Sequence, residues 1–260
     1  MIVRSGDGLP VSRRSVIGGV VGAGLLEVLS LGLPFQDEAM ADELYAEPDE
    51  RVLFSADAPR VYTRAQWKAK SPRRPAKLAG RPDKIVIHHT ATANSGNGSL
   101  AHAFALSRFI QNIHMKKGWD DTGQQLTISR GGIVMEGRNR SLKAIRARRL
   151  AVGAQVLNHN SHTIGIENEG TYMKKAVPRR LWHSLVETCV WLCRTYDLNP
   201  SKAIVGHRDL NRTACPGDVL YARLPALRKS VAARLGGSKR PENQADPGLD
   251  SLLPPLDGLT

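Results

Sequence analysis

A β-branched run that ends in two histidines, KIVIHH at residues 84–89, constrains this chain more than any other feature. Ile85, Val86 and Ile87 form a compact apolar block, which reads as a buried strand. A buried strand needs partners beside it and cover above it, and the residues that follow supply both. ATANSGNG reads as a loop, and Ser99 caps a helix expected to reach about Met115 with Leu100, Ala103, Phe104, Ser107 and Ile110 on one face. QLTISRGGIVMEG (125–137) reads as a hairpin turning at Gly131 and Gly132. HTIGIENEG (162–170) is a further strand with acidic groups at its end. Pro178 opens a long amphipathic helix with the stripe Leu181, Leu185, Cys189, Leu192, Cys193 and Tyr196. AIVG (203–206) is a short strand, and Val219 to Leu235 reads as a last helix indented by Pro225. Strands alternating with helices predict an α/β fold, a single domain with a central mixed β-sheet flanked by helices. Ligands in such folds collect at strand ends and the loops beyond them.

The two ends of the chain read differently. Residues 12–33, SRRSVIGGVVGAGLLEVLSLGL, place paired arginines, Arg13 and Arg14, before a Gly-rich apolar run, and Ala39-Met40-Ala41 follows as a small-x-small cleavage signal. This is the layout of an export signal of the Tat type, over residues 1–41. The alternative is a plain N-terminal anchor helix. Glu27 and the glycines make the run a poor permanent span, so no stable membrane span is expected in the mature chain. The expected location is periplasmic, cell-wall or extracellular. Residues 42–60 read as a linker, 61–235 as the folded domain and 236–260, rich in Pro, Gly, Asp and Ser, as a disordered tail.

The formal charge of +13 points to polyanionic surroundings. No RNA- or DNA-reading motif is present and no basic stripe is interleaved with aromatics, so nucleic acid is not expected as a partner. Arg146, Arg148 and Arg149, with Lys174, Lys175, Arg179 and Arg180, form two basic clusters that read singly as solvated surface. Three cysteines, Cys189, Cys193 and Cys215, make no disulfide framework. Cys189 and Cys193 stand one helical turn apart and read as small buried apolar residues.

The stretch GHRDLNRTACPGD (206–218) sets His207 and Cys215 eight residues apart in a loop. With His88 from the buried strand they supply two imidazoles and one thiolate. That is a three-ligand zinc set with a fourth position left for water, the arrangement of a catalytic site. Spacing alone leaves the other reading open, in which the three are ordinary satisfied core residues. Neighbouring strand residues point to opposite faces, so His89 is not expected to share the ion with His88.

The sequence resembles the zinc-dependent N-acetylmuramoyl-L-alanine amidases of the amidase-2 and peptidoglycan-recognition-protein family. The resemblance runs in collinear order through VYTRAQWKA (61–69), IVIHHTAT (85–92), GWDDTGQQLTISRGGIVMEGR (118–138), TIGIENEG (163–170) and GHRDLNRTACPGDVLYARLPALR (206–228). It implies zinc held by His88, His207 and Cys215 in a cleft at strand ends. It also implies cleavage of the amide between the lactyl group of N-acetylmuramic acid and L-alanine, with peptidoglycan or muropeptides as partners and attraction to anionic cell-wall polymers. The alternative is a peptidoglycan-binding module that does not cut, though non-catalytic members typically lose the cysteine that this chain keeps.

Departures from the pattern matter. Gln124 stands where many members have a Tyr, and Gln155 where a His contacts substrate; both are assigned here as substrate-binding. A glutamine cannot act as acid or base near neutral pH. By resemblance to the recycling branch of these amidases, Glu167 is expected to be the general base, with Glu169 as runner-up. Thr213, two residues before Cys215, is expected to hydrogen-bond the oxyanion or to brace its loop. Asp209 reads as orienting a ligand or shaping the loop rather than as a ligand itself.

Overall fold

The computed structural model describes residues 58–236. The expected export signal at 1–41, most of the 42–60 linker and nearly all of the 236–260 tail lie outside the described residues. Among the described residues, no helix is long and apolar enough to cross a membrane.

Strand β3, Lys84–His89, lies inside a sheet of six strands. The others are β1 (Val61–Tyr62), β4 (Leu126–Ile128), β5 (Val134–Glu136), β7 (Thr163–Asn168) and β8 (Ile204–Gly206), in the order β1-β5-β4-β7-β3-β8. Only β4 and β5, the two arms of the expected hairpin, run antiparallel. All other neighbours are parallel, as expected where helices carry the chain back between strands. A separate antiparallel pair joins β2 (Leu78–Ala79) to β6 (Leu150–Ala151).

The sheet has two unlike faces. Ile85, Ile87, Ile164, Ile166, Leu126 and Ile128 are fully buried in one cluster with the apolar stripes of helices α3 (Arg179–Tyr196) and α6 (Leu224–Gly236). All six expected stripe residues of α3 are buried, including Cys189 and Cys193, which are free thiols. Residues one step along each strand point the other way. Val86, His88, Gly165, Glu167 and Thr127 therefore share the opposite face, and this face carries the polar chemistry.

Helix α1, Leu100–Lys116, begins where the sequence sets it: Ser99 Oγ accepts from His102 N at 3.2 Å. Its inward face is rotated from the expected one. Ala103, Leu106, Ser107, Ile110 and Gln111 are buried, while Leu100 is exposed. Gln111 turns inward because its amide is fully used, bonding both backbone groups of Lys70 at 2.9 Å and Asp121 Oδ1 at 2.8 Å. The expected last helix is two: α5 (Asp218–Ala222) and α6. Pro225 lacks an N–H and its ring clashes with the carbonyl four residues back, so the first helix stops at Arg223. Short helices α2 (Ser141–Arg146) and α4 (Pro200–Ala203) complete the set.

Ile166 sits at the centre of the apolar face with no exposed surface. Ile166→Ala is expected to lower stability by roughly 2–5 kcal/mol. In a urea titration this appears as a lower midpoint at unchanged slope.

Candidate metal centre

Three parallel strands, β8, β3 and β7, end side by side. Across the sheet His88 pairs with Glu167, and Glu167 with Thr127. Laterally paired residues share a face, so these three side chains form a row. On the other side of β3, Gly206 pairs with Ile87, so the next residue of the chain comes up beside His88. That residue is His207, which opens a 3-10 turn, and the two imidazole rings lie 4.6 Å apart, edge to face.

Cys215 reaches the row from the loop that follows. Arg208 ties this loop back: its N–H donates to Cys215 O at 3.1 Å, and its guanidinium bonds Asp218 at 2.9 Å and the Ala214 carbonyl. Gly217 has φ of +90°, and a Cβ there would lie 2.5 Å from the carbonyl carbon of Tyr172. The Cys-Pro-Gly segment needs glycine at that point to pass so close to the backbone.

Cys215 Sγ lies 3.6 Å from His88 Nδ1 and accepts from His89 N at 3.4 Å. The ligand atoms of His88, His207 and Cys215 all fall within 4.8 Å of one another. A tetrahedral zinc with Zn–S near 2.3 Å and Zn–N near 2.0 Å separates sulfur and nitrogen by roughly 3.5 Å. The 3.6 Å between Cys215 Sγ and His88 Nδ1 fits that ion, and two neutral imidazoles with a thiolate are a donor set suited to it. His88 is held neutral, its pKa lowered to about 3 by burial and then by the neighbouring His207. Burial lowers His207 too. Without a cation, burial pushes the Cys215 thiol up to about 12. An ion that binds there displaces that proton.

Glu167 is the other titratable member of the row. Burial raises its pKa to about 8, and Lys117 pulls in the opposite direction. No hydrogen bond contributes to the shift. A carboxylate without donors beside a cation site is suited to taking and returning a proton.

The remaining expected residues fall in several places. Thr213 Oγ1 accepts from Cys215 N at 3.2 Å, which leaves its own proton free to donate. Gln124 has no exposed surface; its Nε2 donates to Thr127 Oγ1 at 2.8 Å, and its Oε1 is buried without a partner. Gln155 lies against the back of His88, with Oε1 at 2.5 Å from Nε2. Glu169 is not in the row. Strand β7 ends at Asn168, so alternation stops there, and the Glu169 carboxylate is occupied by His102 Nε2 at 2.6 Å and Arg130 N at 2.7 Å. Asp209 touches neither histidine; it accepts from Gly206 N at 2.8 Å and from the Tyr221 hydroxyl. His89 points away, its Nδ1 accepting from Tyr172 N at 3.4 Å. Asn211 was not singled out in the sequence, yet its Oδ1 sits 3.2 Å from His207 Nε2. Its place four residues after His207, within the same motif, was the available signal.

The chain is similar to proteins already known. A family model described as N-acetylmuramoyl-L-alanine amidase (amidase-2) matches residues 78–218. The human protein named N-acetylmuramoyl-L-alanine amidase is 30% identical over 196 residues, which is 73% of this chain and 32% of that protein. The chain thus matches about a third of that relative's length. Peptidoglycan-recognition protein LB of Drosophila melanogaster is 23% identical over 166 residues, covering 64% of this chain and 67% of the relative. Among solved structures, peptidoglycan recognition protein-LE in complex with tracheal cytotoxin, a monomeric diaminopimelic acid-type peptidoglycan, superposes with a TM-score of 0.56 at 25% identity. That match covers 64% of this chain and 92% of the solved one.

Proposed function

This chain belongs to the amidase-2 family of N-acetylmuramoyl-L-alanine amidases, and from that premise we propose that it is a zinc hydrolase acting on bacterial peptidoglycan or its muropeptides. The bond cleaved is the amide between the lactyl group of N-acetylmuramic acid and L-alanine. The observation that carries the proposal is the convergence of His88, His207 and Cys215 at the strand ends, with Glu167 in the same row as His88. His88, His207 and Cys215 would hold the ion, which when bound polarises a carbonyl and acidifies water. Glu167 takes the proton of the attacking water and returns it to the departing L-alanine nitrogen, so one water is added across the C–N bond. Thr213 donates its hydroxyl to the carbonyl oxygen as negative charge gathers there, an effect of up to about 2.7–4 kcal/mol by analogy with other oxyanion donors.

A non-cutting recognition module is the second reading. What favours it is Gln124: a carboxamide stands where the family commonly has a phenol, and it is buried behind Thr127. Incubation of the purified protein with muropeptides, read by mass spectrometry, separates the two. Release of free stem peptide, with the paired products together heavier by one water, supports the hydrolase. The release should stop with a chelator and return with zinc. Stoichiometric zinc with no cleavage of any muropeptide selects the recognition module. Net export through the Tat-type leader, with activity outside the cytoplasm, is the location that goes with the proposal.

A further inference from the structure

We propose that two carboxamides, Gln155 and Asn211, are positioning residues that lock His88 and His207 as their Nε2–H tautomers. Each ring then presents the lone pair of Nδ1 to the ion. The proposal rests on the metal reading above but adds to it, because it concerns the protein before any ion binds.

The amide orientation of Gln155 is dictated by its other contacts. Thr163 Oγ1 donates its proton to His159 O at 2.8 Å, so it can only accept from Gln155. The Gln155 atom 2.8 Å from that hydroxyl is therefore Nε2, and Oε1 is the atom against His88 Nε2. An amide oxygen only accepts. His88 Nε2 must carry the proton, and Nδ1, the atom 3.6 Å from Cys215 Sγ, is left as the acceptor or ligand nitrogen.

The same logic holds for His207. Asn211 Nδ2 donates to Leu210 O at 2.9 Å and to Leu157 O at 3.3 Å, which turns Oδ1 towards His207 Nε2 at 3.2 Å. One segment links the two amides. Asn160 Oδ1 accepts from Gln155 N at 2.7 Å and Val156 N at 3.0 Å, and Leu157 N donates to Asn211 Oδ1 at 3.1 Å. The path of Gln155 to His88 crosses β7 at Gly165, where a Cβ would lie 2.7 Å from Gln155 Cδ. The strand keeps a glycine in its middle where the glutamine lies across it.

Fixing the outer nitrogen of a ligand histidine sets its tautomer and ring direction, and loss of such a partner typically costs about 10–100-fold in metal affinity. The test uses the full chain, metal-free and at neutral pH, with long-range proton–nitrogen correlation spectra of the imidazoles. In the native protein both His88 and His207 should show the Nε2–H pattern alone. Gln155→Met keeps the volume and removes the acceptor; it should turn His88 into a tautomer mixture while His207 is unchanged. Asn211→Leu should do the converse. Zinc affinity, measured by competition with a chromophoric chelator, should fall about 10–100-fold in each variant. A native spectrum with Nδ1 protonated on either ring overturns the proposal, and so does a Gln155→Met protein with unchanged tautomers. Should a variant fail to fold, the native spectrum decides alone. If the native protein binds no zinc yet shows the expected tautomers and their shifts, the metal reading falls and the assignment stands.

Discussion

Cys215→Ala is expected to yield a folded protein that neither retains zinc nor cleaves muropeptides, if the proposed ligand set is correct. The side chain is half-buried at the loop and contributes no core packing of consequence, so circular dichroism and the thermal transition should stay close to native. The ion would lose one of its three proposed ligands, and with it the polarisation that metal centres supply. That contribution is several kcal/mol, on the order of a thousandfold or more in rate. The native protein adds a signature the variant lacks. At neutral pH the Cys215 thiol is protonated before the ion arrives, its pKa being about 12. His88, at about 3, and His207, also lowered, are already neutral. Binding should therefore expel the thiol proton, with up to one more from the Glu167 carboxyl, and zinc affinity should rise at least about tenfold per pH unit across the neutral range. Calorimetry in buffers of different ionisation enthalpy reads the proton count. A native protein that binds zinc with no proton released contradicts the ligand set.

Glu167→Gln should leave zinc bound and reduce turnover by at least about a hundredfold, the usual scale for a positioned base. The pH profile carries the sharper information. Burial moves the carboxyl from 4.5 up to about 8, and a nearby dication moves it back down. The working value should fall between those limits, with activity rising as pH rises through it. The glutamine variant should lose that limb. Stability moves the other way. In the metal-free protein the folded pKa lies above the unfolded one, so the contribution of this group is fully present below pH 4.5 and lost as pH rises through 8. Metal-free Glu167→Gln should then be more stable than native above pH 8, because it has no charge to bury. A near-native rate in this variant removes Glu167 from the chemistry.

The long elements are legible because their signals are local and repeated, whereas spacing left the ligand set open and the family resemblance implied it. Ile85 to Ile87 form an unbroken apolar block, and the stripe of α3 recurs over five turns, every member buried. The strands β1, β2 and β6 have two residues each, a single repeat of the strand pattern, so no run of alternation could announce them. Gln155 and Gln124 show a different limit. Their residue types stand out in the sequence, but their surroundings come from Thr163, Thr127 and His88, placed by tertiary packing. Position in a family pattern suggested contact with substrate; the hydrogen bonds give Gln155 a partner inside the protein and Gln124 no surface at all. Glu169, the runner-up, shares a face with Glu167 only if alternation continues past Asn168, where the strand ends.

His88 and Cys215 stand 127 residues apart along the chain, yet their side chains are neighbours. Closing a loop of that length is entropically costly until most of the intervening sheet and helices are in place. The trio would therefore come together as an ion site only late in folding. Were the proposed twin-arginine leader to export the chain folded, the assembled trio could be loaded before the membrane is crossed.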